Sequence, residues 1–178
     1  MTDAPIALPT LVAQRAAECP ERVFVIDAVA DREVTYGEIH ERARRWAAAL
    51  AALGVRPGDP VATMLLNEPE SVAIWLGIGY LGAVEVPGNV DYRGSLLRHY
   101  LTTSRAAVAV VHASCAARIT ELTGPGGALR TVVVGPAGAA DPLPELRTPA
   151  PTDPVPPNRL SGTASVMFTS GTTGPSKG

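Results

Sequence analysis

The sequence has 178 residues, a net charge of -2 at pH 7 and an apolar fraction of 46%. A chain of this size can bury one sizeable core, and it carries no strongly basic footprint for DNA or RNA. Its apolar runs are shorter than the ~20 residues of a membrane-spanning helix, and the N-terminus lacks the basic and apolar regions of a secretory signal. Cys19 and Cys115 are too few for a disulfide framework and lack metal-ligand spacing. We therefore expect a cytoplasmic protein whose cysteines behave as small apolar residues.

The first half of the chain predicts two helices with a strand between them. Leu8–Glu18 is expected to be a helix and Val23–Ile26 a short apolar strand. The clearest helix begins after Thr35, which has the spacing of a capping box with Glu38. Its apolar residues recur at spacings of three and four, and Gly54 supplies the stop.

From Val61 onward, short apolar runs alternate with helical patterns. Strands are expected over Val61–Leu66, Ala83–Val86, Ala106–Val111 and Leu129–Val134, and helices over Glu70–Leu81, Gly94–Ser104 and Ser114–Leu122. This alternation predicts an α/β fold, a layered parallel or mixed sheet with helices on both faces.

A proline-rich stretch follows the last of these strands. Seven of the 17 prolines lie between Pro142 and Pro157. Because proline removes backbone donors and fixes φ, residues 135–162 are predicted to be a long surface loop inside one domain. A further strand is expected over Thr163–Phe168.

The ten residues after Phe168 carry the strongest chemical signal. Glycines allow the backbone to approach an anion, successive N–H groups form an anion-binding nest, and hydroxyls add donors. Fourteen of the 15 basic residues are arginines, and the only lysine, Lys177, lies in this segment. It offers a compact, mobile cation that arginine does not match. Five hydroxyl residues, two glycines and this lysine lie between Thr169 and Lys177, and together they predict a phosphate-binding loop.

Two alternatives bear on this segment. A Walker-type loop is disfavoured, because Ser176 rather than glycine precedes Lys177 and Gly178 follows it. A polar loop of small residues without a ligand is the other interpretation.

The string Phe-Thr-Ser-Gly-Thr-Thr-Gly-Pro-Ser-Lys-Gly, from Phe168 to Gly178, resembles the phosphate loop of the AMP-forming adenylate-forming superfamily. This superfamily comprises acyl-CoA synthetases, aryl-CoA ligases, peptide-synthetase adenylation domains and firefly luciferase. Ser176 stands where the family usually has proline. Similar segments occur upstream in consistent order at residues 34–61, 81–87 and 104–106, and residues 92–99 are similar to acyl-CoA and carnitine-CoA ligase-like members.

The resemblance implies that residues 1–178 are the N-terminal portion of a large adenylating domain. It implies a two-step reaction in which a carboxylate attacks the α-phosphate of Mg-ATP, and the thiol of CoA then displaces AMP. By analogy, the loop contacts the β- and γ-phosphates through hydroxyl groups, through the backbone at two glycines and through a lysine. The residues are Thr169, Ser170, Thr172 and Thr173, then Gly171 and Gly174, and then Lys177. The implied ligands are a small carboxylic acid, ATP, Mg²⁺ and CoA, whereas charge and the length of the apolar runs speak against a nucleic acid and a membrane span. The acid, the choice between CoA and a carrier protein, and the assembly, including a homodimer, stay open.

The resemblance also implies residues that this sequence does not contain. These are an aromatic-Gly-x-Thr-Glu segment whose glutamate helps to hold magnesium, an aspartate for the ribose, and a C-terminal lysine. We therefore expect the 178-residue chain to be inactive alone, with no catalytic residue assigned and no metal ligand. The alternatives are a non-catalytic nucleotide-binding module and a truncated structural or interaction domain.

Four other polar residues are weaker candidates. His40, His99 and His112 match no metal spacing and are expected to be structural or exposed. Glu85 interrupts an apolar strand where the family usually has an aliphatic or aromatic residue, and the sequence leaves open whether it is paired or exposed.

Overall fold

The computed structural model describes residues 7–124, 127–135, 143, 146 and 162–168. It contains five α-helices and six β-strands within these residues. The helices are α1 (Leu8–Glu18), α2 (Tyr36–Ala52), α3 (Pro69–Tyr80), α4 (Gly94–Ser104) and α5 (Ala113–Thr123). The strands are β1 (Val23–Asp27), β2 (Arg32–Thr35), β3 (Pro60–Met64), β4 (Val84–Pro87), β5 (Val108–His112) and β6 (Arg130–Val134).

Four strands form a parallel sheet in the order β4-β3-β5-β6. One helix follows each of β3, β4 and β5 and leads to the next strand of this sheet, as parallel strands require. The prediction of an α/β fold is confirmed.

The sheet separates two hydrophobic cores, because neighbouring residues of a strand point to opposite faces. The first core joins Val61 and Val110 of the sheet to α2 and α3. The second core joins Ala62 and Val111 to α4 and α5. Helices therefore cover both faces, and the central strands are buried on both sides, as their continuous apolar runs predict.

Local signals explain the boundaries of α2. Glu38 N donates to Thr35 Oγ1 at 3.2 Å, and Thr35 N donates to the Glu38 carboxylate at 2.9 Å. The predicted capping box is confirmed, and both bonds satisfy donors that the first turn of a helix leaves unpaired. Beyond the C-terminal end, Gly54 has φ +90°, a conformation that favours glycine.

Three local features differ from the sequence-based expectations. β2 was not predicted, and it pairs with β1 as an antiparallel hairpin whose turn is held by Asp27 Oδ1 accepting from the N–H groups of Val29 and Ala30. The helix expected from Ser114 begins at Ala113, and its cap is His112, whose side chain accepts from Ser114 N. The expected strand over 163–168 is reduced to one parallel bridge, between Glu85 and Ser165.

The connection after β6 joins opposite edges of the sheet. β6 forms one edge of the sheet and Ser165 lies beside β4 at the other, four strand positions away. This is about 19 Å at the usual strand spacing, and parallel pairing also requires a return along the strands. Most of residues 135–162 lies outside the described residues. Leu146, however, is 5% exposed and belongs to the first core. The prediction that this connection lies entirely on the surface is therefore wrong at Leu146.

Candidate functional site

The predicted phosphate-binding residues lie outside the part of the chain that the structure describes. This applies to Thr169, Ser170, Gly171, Thr172, Thr173, Gly174 and Lys177. The structure does describe residues 162–168, which lead directly into them and which we call the lead-in segment. The geometry of this segment determines where the chain enters the predicted loop.

The lead-in segment runs alongside β4. Glu85 N donates to Ala164 O at 3.1 Å, and Val166 N donates to Glu85 O at 2.8 Å. The bridge is parallel, so the segment heads in the same direction as β3, β4, β5 and β6. Phe168 therefore lies at the carboxyl edge of the sheet. In open α/β sheets, ligands bind outside this edge.

Aromatic side chains hold the end of the lead-in segment. The Phe168 ring lies 5.4 Å from the Tyr100 ring at an interplanar angle of 74°, and 6.2 Å from the His99 ring at 88°. Such edge-to-face pairs stabilise by about 0.5–1.5 kcal/mol beyond the burial of area. Tyr100 also meets Tyr92, with ring centroids 5.6 Å apart. The segment is thus anchored on α4, and Tyr92 of the loop before α4 supports the same Tyr100 ring.

Tyr100 also joins the carboxyl ends of two strands. Its side chain is completely buried, and its hydroxyl lies 2.6 Å from Val86 O and 3.1 Å from Thr63 O. Burial raises the pKa of Tyr100 well above its ordinary value, so the phenol stays protonated as a donor. Gly88 N donates to Thr63 O at 2.7 Å. A Cβ at Gly88 would lie 2.5 Å from Tyr100 Cζ, so only glycine leaves room for the ring.

Glu85 is partly buried on β4 and is paired, which answers the question that the sequence left open. Thr63 Oγ1 donates to its carboxylate at 2.9 Å. Desolvation raises the pKa of Glu85, and the bond from Thr63 offsets part of that rise. The backbone of Glu85 carries both hydrogen bonds to the lead-in segment. The apolar strand pattern is therefore interrupted at the residue that binds this segment.

The histidines make local contacts rather than forming a joint site. His40 Nδ1 lies 2.8 Å from Tyr80 Oη, between α2 and α3. Burial, followed by the charge of Arg44, lowers the pKa of His40. His112 caps α5, and His99 contacts Phe168. Across the described residues, no group of three or more His, Cys, Asp or Glu side chains could hold a metal ion.

Sequence reasoning missed the roles of Thr63, Gly88 and Tyr100. The sequence places Tyr100 inside the helical pattern of residues 94–104 and gives no sign of its contacts with the sheet. The spacing of residues along the chain does not reveal that one phenol reaches the ends of two strands. Gly88, directly after Pro87 at the end of β4, was the available signal of a close approach.

A family model described as "AMP-binding enzyme" matches residues 12–178. The chain belongs to the AMP-binding enzyme family. A relative within this family is the medium/long-chain-fatty-acid–CoA ligase FadD6 of Mycobacterium tuberculosis, 34% identical over 94% of this chain and 28% of the ligase. The expected resemblance to acid–CoA ligases is confirmed.

Solved structures with the same fold support this family assignment. The inhibitor-bound N-terminal domain of FACL13 from Mycobacterium tuberculosis matches with a TM-score of 0.80 and 28% identity, over 97% of this chain and 43% of that chain. The anthranilate CoA ligase AuaEII in complex with anthranoyl-AMP matches with a TM-score of 0.82 and 25% identity, over 98% of this chain and 34% of that chain. The sequence thus spans less than half of each of these proteins.

In the described residues, we find no helix with the length and apolar character needed to cross a membrane.

Proposed function

We propose that this chain forms the N-terminal, ATP-phosphate-binding part of an AMP-forming carboxylic acid–CoA ligase. The observation that carries the proposal is the lead-in segment, which runs parallel to β4 and directs the chain to the carboxyl edge of the sheet. Its next residues are the hydroxyl- and glycine-rich string from Thr169 to Lys177. An extended segment that leads such a string to this edge matches the general position of phosphate sites in α/β proteins.

The proposed reaction has two steps. In the first, a carboxylate oxygen forms a bond to the α-phosphorus of ATP, and the bond to the β-phosphate oxygen breaks to release pyrophosphate. In the second, the sulfur of CoA attacks the acyl carbon, the thiol gives up its proton, and AMP leaves with the electron pair of the broken bond. Both steps balance without an oxidant or a reductant.

The predicted loop acts on the leaving group in the first step. Negative charge grows on pyrophosphate as the α-β bond breaks. Hydroxyls of Thr169, Ser170, Thr172 and Thr173 would donate to its oxygens, Gly171 and Gly174 would let the backbone approach, and Lys177 would add a cation. Donors fixed where charge develops are an effective means of lowering such a barrier.

Mg²⁺ would partly neutralise the phosphates when it is bound. The described residues offer no group of three or more His, Cys, Asp or Glu side chains to hold it. We therefore assign no residue of this chain to the metal and derive no step through it. The acid substrate, CoA as acceptor, a homodimer and a cytoplasmic location stay predictions.

The single lysine makes the proposed phosphate contact directly testable. An amine-reactive acetylating reagent has two targets in this chain, Lys177 and the N-terminal α-amine. Trypsin then cleaves after Arg159 and releases Leu160–Gly178 with acetylated Lys177 inside it. Mass spectrometry of this peptide, with and without nucleotide, reports whether phosphate shields the amine, and the α-amine is the internal control.

We expect ATP and pyrophosphate to protect Lys177 and AMP to protect it much less. Lack of protection by ATP at millimolar concentration would refute the proposed site. A parallel assay of ATP–pyrophosphate exchange tests catalysis, for which the 178-residue chain is expected to be inactive. Exchange at the rate of a complete ligase would contradict that expectation.

A further inference from the structure

We propose that Tyr100 is a positioning residue for the predicted phosphate loop: its hydroxyl joins the ends of β3 and β4 while its ring supports Phe168, the residue directly before the loop. The inference rests on the function proposed above and adds a residue of α4 to the set that controls ATP binding.

The hydroxyl fixes the ring relative to the sheet. It approaches Val86 O at 2.6 Å and Thr63 O at 3.1 Å, and Tyr100 is completely buried. These carbonyl groups lie on neighbouring parallel strands near their carboxyl ends. Because a phenol has only one proton, the two carbonyl oxygens share one donor. Thr63 O also accepts from Gly88 N, but water does not replace the phenol at a buried site, so its loss weakens the link between the two strand ends.

The ring is confined by its neighbours. Gly88 lies against it closely enough that a Cβ would clash with Cζ, and Tyr92 meets it edge-on. Phe168 contacts the same ring at an angle of 74°. A ring held in this way cannot tilt without displacing a neighbour. Protein interiors are close-packed, so a displacement at Tyr100 is passed on to Phe168.

One peptide bond joins Phe168 to Thr169, the first residue of the predicted loop. The Cα atoms of consecutive residues are about 3.8 Å apart, so the place of Phe168 limits the place of Thr169. The two backbone hydrogen bonds at Glu85 fix the segment further upstream. Phe168 lies beyond them and depends on its ring contacts, and a shift of about 1 Å in a positioning group can impair a reaction strongly.

The test uses the ATP concentration that gives half-maximal protection of Lys177 in the acetylation experiment, measured on the complete 178-residue chain. Tyr100→Phe removes only the hydroxyl and keeps the ring. We expect the half-protection concentration to rise about three- to tenfold, as the loss of one buried hydrogen bond suggests. Tyr92→Phe is the matched control, because it also removes one phenol hydroxyl from this cluster, and it should leave the concentration unchanged.

A merely structural role gives a different result. If Tyr100→Phe only unfolds part of the population, ATP draws that part back to the folded state, so the half-protection concentration rises by no more than the reciprocal of the folded fraction measured without ATP. That outcome, or an unchanged titration, overturns the inference and leaves the proposed function intact.

Phe168→Leu provides a second variant in case Tyr100→Phe folds poorly. It removes the ring contact from the other side and is expected to raise the half-protection concentration as well. If the two residues act together, the double variant will be no worse than the poorer single variant, whereas independent effects that multiply would contradict the proposal. Absence of protection in the unmodified chain would instead refute the proposed phosphate site itself.

Discussion

Glu70 hydrogen-bonds α3 to α2, alongside the contact between His40 and Tyr80. It lies in the first turn of α3, and its carboxylate accepts from Trp46 Nε1 at 2.5 Å and from Arg42 Nη1 at 3.4 Å. Trp46 is 1% exposed and lies in the first core. Glu70→Ala therefore removes the acceptor from a buried indole N–H group.

The structure allows the cost to be divided into three contributions. The indole donor left without a partner costs about 1–3 kcal/mol. The side chain of Arg42 is 30% exposed and that of Glu70 is 38% exposed, so their ion pair adds roughly 0.2–1 kcal/mol. A carboxylate in the first turn of a helix adds about 0.3–1 kcal/mol. We expect Glu70→Ala to lower the free energy of unfolding by about 2–4 kcal/mol, allowing for overlap among these contributions.

Urea denaturation followed by tryptophan fluorescence measures this loss, since Trp46 itself reports on the contact. At a slope of about 2 kcal/mol per M, the midpoint should fall by about 1–2 M. Glu41→Ala is the matched control, because its pair with Arg45 also joins a glutamate to an arginine but is more exposed, at 52% and 31%. That variant should lose at most about 1 kcal/mol. Equal losses for Glu70→Ala and Glu41→Ala would refute the reasoning, and so would a loss in Glu70→Gln as large as that in Glu70→Ala.

Three further predictions concern the sheet and the helices that pack on it. Glu85→Gln keeps the acceptor for Thr63 but removes the charge. Burial raises the pKa of Glu85 above 4.5. The unmodified chain therefore loses stability relative to this variant as the pH rises through the raised pKa. Urea midpoints should coincide near about pH 4 and favour Glu85→Gln at about pH 8, and a constant difference would contradict this. Gly77→Ala places a Cβ 2.6 Å from Trp46 Cβ. Thermal denaturation should show a net loss of about 1–2 kcal/mol in the free energy of unfolding, although alanine has the better helix propensity. A gain in stability would show that α2 and α3 separate easily. Gly88→Ala should displace the Tyr100 ring and raise the ATP concentration for half-protection of Lys177, and an unchanged value would exclude that coupling.

The candidate site was only partly predictable. The phosphate-binding string from Thr169 to Lys177 is a local motif, so its residues can be identified without a fold. The groups that support Phe168 are dispersed, with Thr63 on β3, Gly88 after β4 and Tyr100 on α4. They meet only because the sheet brings the ends of its strands to one edge. No periodicity along the chain contains that information.

The spacing of apolar residues, together with the residues that cap and end each element, determined the helices, the strands of the parallel sheet and the α/β class. The capping box of Thr35 and Glu38 is an interaction within one helical turn, and so could be inferred from spacing alone. Tertiary structure alone decided that β4 accepts the lead-in segment and that the Glu85 carboxylate finds Thr63. The physical reason is the sequence separation over which each interaction acts. Local propensities act over a few residues, whereas strand order and the pairing of buried polar groups depend on residues distant in sequence.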